Sequence, residues 1–222
     1  MKRFWRNATL DERAGAWRIL LDGKPMRLPD GRELHVDKPA LAAALAEEWQ
    51  AAGGAPGGEM SFEDVPLTRL AGTAQHRIAP DPAPTVTALA RFAEGDALCY
   101  RAEHPEALVI RQHHAWQPWL DWAAATYGAR LLVTRGIMPV EQPAESVAHL
   151  HQAVASLDAA QLAGLGIIVP ALGSLVRGLA IASGALGADQ AFDLAVLDEV
   201  FQESLWGTDE AALARRAALR AE

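Results

Sequence analysis

The stretch Pro80-Asp81-Pro82-Ala83-Pro84 divides the chain into two parts with different patterns. Its prolines oppose helix formation, because proline lacks a backbone N–H and restricts the residue before it. We therefore predict a domain boundary here. A β-rich N-terminal domain with a packed helix is predicted over residues 1–79, and an α-helical bundle domain over residues 80–222. This order of elements predicts an α+β fold.

The part before the boundary has the pattern of a β meander. Apolar residues alternate along Trp17–Leu21, which is typical of a strand with one buried face. Asp22-Gly23 follows, a dipeptide that favours a type I′ hairpin turn, and Met26–Leu28 is predicted as the returning strand. Leu34–Val36 is predicted as a short third strand.

Two helices are predicted in the same part of the chain. Pro39 suits the first turn of a helix, and Leu41, Leu45 and Trp49 fall four residues apart, on one face. We therefore expect Trp49 to pack this helix onto the sheet. A further helix is predicted over Val65–Arg77.

The part after the boundary is mostly helical in pattern. Leu131–Thr134 is a strand-like interruption, and the sequence leaves open whether it joins the N-terminal sheet. Leu162–Ala182 is apolar over the length of a membrane span, but it contains Pro170 and Arg177, so we predict a buried central helix. The predicted helices are Thr85–Glu94, Pro105–Tyr127, Pro143–Leu157, Ala159–Ala182, Ala188–Trp206 and Asp209–Arg220.

Composition and charge argue against several classes of function. The 222 residues are 50% hydrophobic and 22% charged, which is typical of a globular chain with a buried core. The net charge of −8 argues against a nucleic-acid partner and against an anionic membrane surface. The single cysteine, Cys99, excludes an internal disulfide and fits a reducing compartment. The basic start Met1–Trp5 lacks the apolar stretch of a signal peptide, so we expect a bacterial cytoplasmic protein without membrane insertion.

The search for catalytic motifs is mostly negative. A phosphate-binding loop and a nucleophile elbow are both missing, and the histidine spacings are poor for a shared metal ion. Cys99 is expected to be a buried structural thiol. The alternative function is a small-molecule enzyme with a polar pocket around Asp96–His114, built from Asp96, Cys99, Arg101 and His113.

The helix predicted over Ala188–Trp206 separates apolar from charged side chains. At about 100° per residue, Glu199, Glu203 and Trp206 cluster on one side. The other side is a narrow apolar face formed by Leu194, Leu197, Phe201 and Leu205. An outward tryptophan beside two mutually repelling glutamates needs a cover.

Two interpretations of this charged side remain open. In one, the C-terminal helix folds back and buries Trp206, which leaves the glutamates solvated. In the other, the side is an acidic, aromatic docking face for another protein. The residues predicted to bind a partner are Glu199, Glu203, Trp206, Asp198 and Asp209.

At these residues the chain resembles a known family, the assembly chaperones of the ATP synthase catalytic head that hold its unassembled α subunit (the ATP-twelve family). The resemblance extends over nearly the whole length, with many motifs in one order. They are Lys2–Trp5, Leu20–Pro25, Glu48-Trp49, Pro66–Ala71, Leu98–Glu103, Arg111-Gln112, Trp116, Leu120–Ala123, Gly173–Val176, Leu197–Glu199, Gln202 and Trp206-Gly207.

The resemblance carries expectations about structure and function. It implies a small β-rich N-terminal domain followed by an orthogonal α-helical bundle, no enzymatic activity and no cofactor. It implies a chaperone that is a monomer when free, binds the unassembled α subunit and shields its interface until the β subunit replaces it. In a eukaryote the family lies in the mitochondrial matrix.

Overall fold

The computed structural model describes residues 2–221 and confirms the α+β class. The strands are β1 (Ala8–Arg13), β2 (Ala16–Leu21), β3 (Lys24–Pro25), β4 (Tyr100–Arg101) and β5 (Thr134–Arg135). The helices are α1 (Pro39–Ala51), α2 (Pro66–Thr73), α3 (Ala83–Ala90), α4 (Glu106–Tyr127), α5 (Ala144–Ala155), α6 (Ala159–Leu172), α7 (Leu175–Ala182), α8 (Ala188–Ala195), α9 (Leu197–Trp206) and α10 (Glu210–Ala221).

The chain forms two compact units. Unit 1 contains the residues up to Pro82 together with Asp158–Ala163, and unit 2 contains Ala83–Leu157 together with the residues from Gly164 onward. Within unit 1, Lys38 Nζ donates a hydrogen bond of 2.7 Å to Asp158. The division into residues 1–79 and 80–222 stays a prediction.

Unit 1 contains an antiparallel sheet with the order β1-β2-β3. The predicted turn at Asp22-Gly23 is confirmed, because both residues have the positive φ of a type I′ turn, 48° and 80°. The strand predicted over Met26–Leu28 is wrong, since β3 covers only Lys24–Pro25 and the chain turns back on itself between Leu28 and Arg32. The third strand predicted over Leu34–Val36 is reduced to an isolated bridge between Val36 and Trp17.

Two tryptophans join the N-terminal segment to the helices of unit 1. Trp49 on α1 is buried as predicted, and its Nε1 donates to the hydroxyl of Thr68 on α2 at 2.8 Å. Trp5 is also buried, packs against Trp49 and donates to the Trp49 carbonyl at 3.0 Å. The buried Arg3 donates to backbone carbonyls of the loop after α1. These family motifs therefore hold the fold of unit 1 together.

The single helix predicted over Ala159–Ala182 is wrong, because two helices occupy this range. Gly173 adopts a φ of 64°, which ends α6, and the Ser174 side chain accepts from the backbone N–H of Arg177 at 3.1 Å to cap α7. Residues Leu175–Ala180 of α7 are buried, Arg177 included. Among residues 2–221, no helix is long and apolar enough to cross a membrane.

Three further expectations for unit 2 need correction. The helix predicted over Thr85–Glu94 instead covers Ala83–Ala90. Pro84 therefore lies in the first turn of α3, where a missing N–H is tolerated. The helix predicted over Ala188–Trp206 is interrupted at Val196, which separates α8 from α9. The strand-like segment Leu131–Thr134 contributes only its last residue to β5, which pairs in parallel with β4 and not with the N-terminal sheet.

Candidate functional site

Helix α9 carries four of the five residues predicted to bind a partner. It buries Leu197 and Phe201 in the interior of unit 2, and other side chains of the helix point outward. Glu199 is exposed, and Trp206 has 79% of its surface exposed. Because seven residues make two helical turns, these two side chains lie along one line of the helix. Leu205 was expected on the apolar face, but it is exposed.

Asp198 faces the interior of unit 2. Its carboxylate accepts a hydrogen bond of 2.9 Å from Gln112 Nε2 on α4. The side-chain oxygen of Gln112 accepts from the backbone N–H of Ala102, and its carbonyl accepts from Arg101 Nη1, both at 2.7 Å. Asp198 therefore anchors the first turn of α9 to α4 and β4.

Two buried arginines lie in the field of this carboxylate. Burial lowers the pKa of Arg177 to about 10, and the charges of Asp96 and Asp198 oppose that shift. Burial also lowers the pKa of Arg101, again against the charge of Asp198. Guanidinium groups stay protonated at neutral pH, so the charge of Asp198 offsets part of the positive charge buried in the unit.

Glu203 is engaged by the C-terminal helix. Arg216 on α10 donates from Nη2 to both carboxylate oxygens of Glu203, at 2.8 and 2.7 Å. Both side chains are largely shielded from solvent. The C-terminal helix thus folds back, as one interpretation expected, but it covers Glu203 and leaves Trp206 exposed. The expectation that folding back would bury Trp206 and leave the glutamates solvated is wrong for both Trp206 and Glu203.

Asp209 has a local role in the structure. It is exposed, and its Oδ1 accepts from the backbone N–H of Ala211 at 3.1 Å. This contact supplies an acceptor to the first turn of α10, where helix N–H groups have no partner within the helix. Its predicted part in partner binding stays a prediction.

The outward side chains of α9 form a continuous band, here called the α9 surface. It consists of Glu199, Gln202, Leu205 and Trp206, which are all exposed. A large aromatic ring, an aliphatic side chain, an amide and one carboxylate are the mixture that protein interfaces favour. The α9 surface therefore has the composition of a docking surface, and the predicted part of Trp206 and Glu199 in partner binding stays a prediction.

The four residues of the alternative enzyme site do not share one open pocket. Asp96 and Cys99 are fully buried, whereas Arg101 and His113 line a surface groove. The Asp96 carboxylate accepts from the backbone N–H groups of Leu98 and Val176, each at 3.0 Å. Asp96 thus holds two backbone turns together. Among residues 2–221, no cluster of three or more His, Cys, Asp or Glu side chains is arranged to hold a metal ion.

Cys99 is expected to be unreactive in the native protein. Its side chain is buried, and burial raises the pKa of the thiol to about 12. Since only the thiolate is nucleophilic, iodoacetamide at pH 8 should modify Cys99 at least roughly 100-fold more slowly in the native chain than in the chain unfolded with guanidinium chloride. Mass spectrometry of the alkylated chain measures both rates. Similar rates would contradict the buried placement.

The Arg216–Glu203 ion pair is expected to hold α10 against α9. Arg216→Ala and Glu203→Ala should each lower the free energy of unfolding by about 1 kcal/mol, because each breaks the same partly shielded pair. The double variant should cost little more than either single variant, and α10 amides should exchange hydrogen faster in all three. Additive losses in chemical denaturation would show that the two side chains act separately.

Sequence reasoning missed two partners of the predicted residues. Gln112 was noted only within a motif, and Arg216 lies in a helix with no distinctive pattern. One signal was available, because Arg177 inside an apolar run requires buried carboxylates nearby. The structure supplies them as Asp96 and Asp198, whose charges act on Arg177.

Comparisons with known proteins agree on one family. The model of a family described as ATP12 chaperone protein matches residues 2–124. The chain is 26% identical to "Protein atp12, mitochondrial" of Schizosaccharomyces pombe over 222 residues, which cover 95% of this chain and 75% of the relative.

Two crystal structures of bacterial proteins have the same fold. Atp12 from Paracoccus denitrificans is 39% identical, with a TM-score of 0.91 over 99% of this chain and 93% of that chain. A protein from Agrobacterium tumefaciens is also 39% identical, with a TM-score of 0.89 over 99% of this chain and 81% of that chain. Since the family model spans more than half of the sequence and these likenesses extend through α9, the chain belongs to the ATP12 chaperone family.

Proposed function

We propose that this chaperone takes part in assembly of ATP synthase by binding the unassembled α subunit of the catalytic head. In this proposal it shields the α-subunit interface until the β subunit replaces it. The observation that supports the proposal most strongly is the α9 surface, where Trp206 is 79% exposed on a helix anchored from within by Asp198. A tryptophan is costly to leave in water without a partner that covers it.

The physical need for such a chaperone follows from the nature of subunit interfaces. Permanent interfaces are large and apolar, so an unassembled subunit exposes a surface that promotes aggregation. A chaperone has to cover this surface and then leave, which requires an affinity below that of the final partner. One aromatic anchor with a polar, acidic edge suits this requirement better than a wholly apolar surface, because charge contributes more to specificity and association rate than to affinity.

The experiment that tests this function is a pull-down with separately prepared α and β subunits. The immobilised full-length chain should retain α and not β, and an excess of β should release the retained α. Light scattering of diluted α should also fall when the chaperone is present at equal concentration. Retention of β in place of α, or no retention of α, would refute the proposal.

Glu199→Lys is expected to slow binding of the α subunit. Reversal of a charge at the edge of an interface changes mainly the association rate. We therefore expect the association rate constant to fall roughly 3- to 10-fold at low salt, and this effect should become smaller as the salt concentration rises. Stopped-flow or surface plasmon resonance measures this rate. Glu47→Lys is the matched control, because Glu47 is an exposed glutamate on α1 and the change in net charge is identical. Equal effects of both substitutions would point to net charge rather than to the α9 surface.

The structure gives little support to the alternative of a small-molecule enzyme. Of its four residues, Asp96 and Cys99 are buried and Asp96 is occupied by backbone N–H groups. We infer that the chain acts by binding. We propose that it does so in the bacterial cytoplasm, which the bacterial origin of the two similar crystal structures supports, or in the mitochondrial matrix if the chain is eukaryotic.

A further inference from the structure

A groove on unit 2 lies between α4 and the paired strands β4 and β5. Its lining includes Arg101, Arg135, His113 and His114. Among the residues that the structure describes, no aspartate or glutamate lines the groove. On a chain with a net charge of −8, the lining of this groove carries no negative charge, and the Glu103 carboxylate lies beyond it, against Gly136. It shares no residue with the α9 surface.

Apolar side chains surround the groove and face solvent. Ile110 and Val133 line it, and both are exposed. The turn that continues from Arg135 exposes Ile137 by 91% and Met138 by 71%. The Thr134 hydroxyl closes this turn by donating to the Met138 carbonyl at 3.2 Å. A closed turn that presents two apolar side chains is typical of a surface that another chain covers.

Arg101 gives this groove a specific chemical preference. Its side chain lines the groove, yet the residue is only 7% exposed. Nη1 donates to the Gln112 carbonyl, whereas Nε and Nη2 have no hydrogen-bond partner among the residues that the structure describes. These two nitrogens have almost no surface accessible to solvent, and the guanidinium carbon lies 5.3 Å from the centre of the Trp116 ring, so Arg101 acts on the groove through its positive charge.

We propose that this groove, the α4–β5 groove, is a second docking surface that takes an acidic, partly apolar segment of a partner polypeptide. A carboxylate of the segment binds the exposed Arg135 in the positive field of Arg101, and its apolar neighbours cover Ile137 and Met138. The basic lining selects the acidic residue, and the exposed turn selects a polypeptide rather than a small anion. This inference goes beyond the function proposed above and does not depend on the identity of the partner.

The test is an NMR titration of the full-length ¹⁵N-labelled chain with a blocked octapeptide of alternating leucine and glutamate. The peptide should shift the backbone amide signals of His113–His114 and Val133–Met138. A matched peptide of alternating leucine and glutamine should bind roughly tenfold more weakly, because the charge-assisted hydrogen bonds are lost. Equal binding of the two peptides, or shifts elsewhere only, would overturn the proposal.

Variants and a small anion separate docking from simple ion binding. Arg135→Glu and Ile137→Asp should each weaken the leucine–glutamate peptide roughly tenfold. Ile167→Asp is the matched control, since Ile167 is an exposed isoleucine on α6 that does not line the groove, and it should bind the peptide as the wild type does. Sodium acetate that binds as tightly as the peptide would show a small-anion site and refute docking. Because no test uses the α subunit, failure here and failure of the pull-down are distinguishable.

Discussion

Trp206→Ala is expected to weaken binding of the α subunit by roughly 30-fold or more, because buried tryptophans at interface centres contribute 2 kcal/mol or more. The free chain should keep its stability within about 0.5 kcal/mol, since a side chain that is 79% exposed contributes little to folding. Isothermal titration calorimetry with purified α subunit measures the dissociation constant. Trp206→Phe should recover part of the affinity, because it restores an aromatic ring.

Phe4→Ala is the matched control for this substitution. Phe4 is also an exposed aromatic residue, but it belongs to unit 1 and is distant from the α9 residues in sequence. It should leave the dissociation constant unchanged. If Trp206→Ala binds the α subunit as the wild type does, with the same unfolding curve, the α9 surface is not the docking site. The pull-down would still decide whether α is the partner.

The second large effect is expected inside unit 2, where Asp96→Ala should lower the free energy of unfolding by about 3–5 kcal/mol. The substitution leaves the N–H groups of Leu98 and Val176 without their acceptor. It also removes a carboxylate whose charge favours the buried Arg177. Asp96→Asn keeps one oxygen and should cost roughly half as much. Urea denaturation followed by circular dichroism measures the free energy of unfolding of the wild type and of the two variants.

The pH dependence of the Asp96 effect has a definite sign. Burial raises the pKa of Asp96 in the folded chain above its ordinary value, against the hydrogen bonds from Val176 and Ser174. The folded chain then holds the proton more tightly than the unfolded chain, so stability falls as pH rises from the ordinary aspartate range of about 4 towards the folded pKa. The stability advantage of wild type over Asp96→Asn should therefore shrink over that interval. A difference that grows with pH would contradict the direction.

Local patterns predicted much of the fold because they report local preferences. The alternation along Trp17–Leu21 and the dipeptide Asp22-Gly23 correctly indicated β2 and its turn. The four-residue spacing that ends at Trp49 correctly indicated the buried face of α1. Helix breaks were harder to predict, because Gly173 and Ser174, which end α6 and cap α7, lie within a long apolar run that has the pattern of one helix. The parallel pairing of β5 with β4 joins segments more than thirty residues apart, so no local pattern could indicate it.

In the candidate site, too, local sequence patterns and contacts between distant segments decided different features. The sequence by itself determined the family motifs, the α+β class and an acidic, aromatic helix near the C-terminus, because these depend on residue type and helical period. Only the tertiary structure decided which acidic side chains are free. Asp198 is held by Gln112 and Glu203 by Arg216, whereas Glu199 remains exposed beside Trp206. The period of a helix defines its faces, but the neutralisation of a carboxylate depends on which distant helix packs against that face.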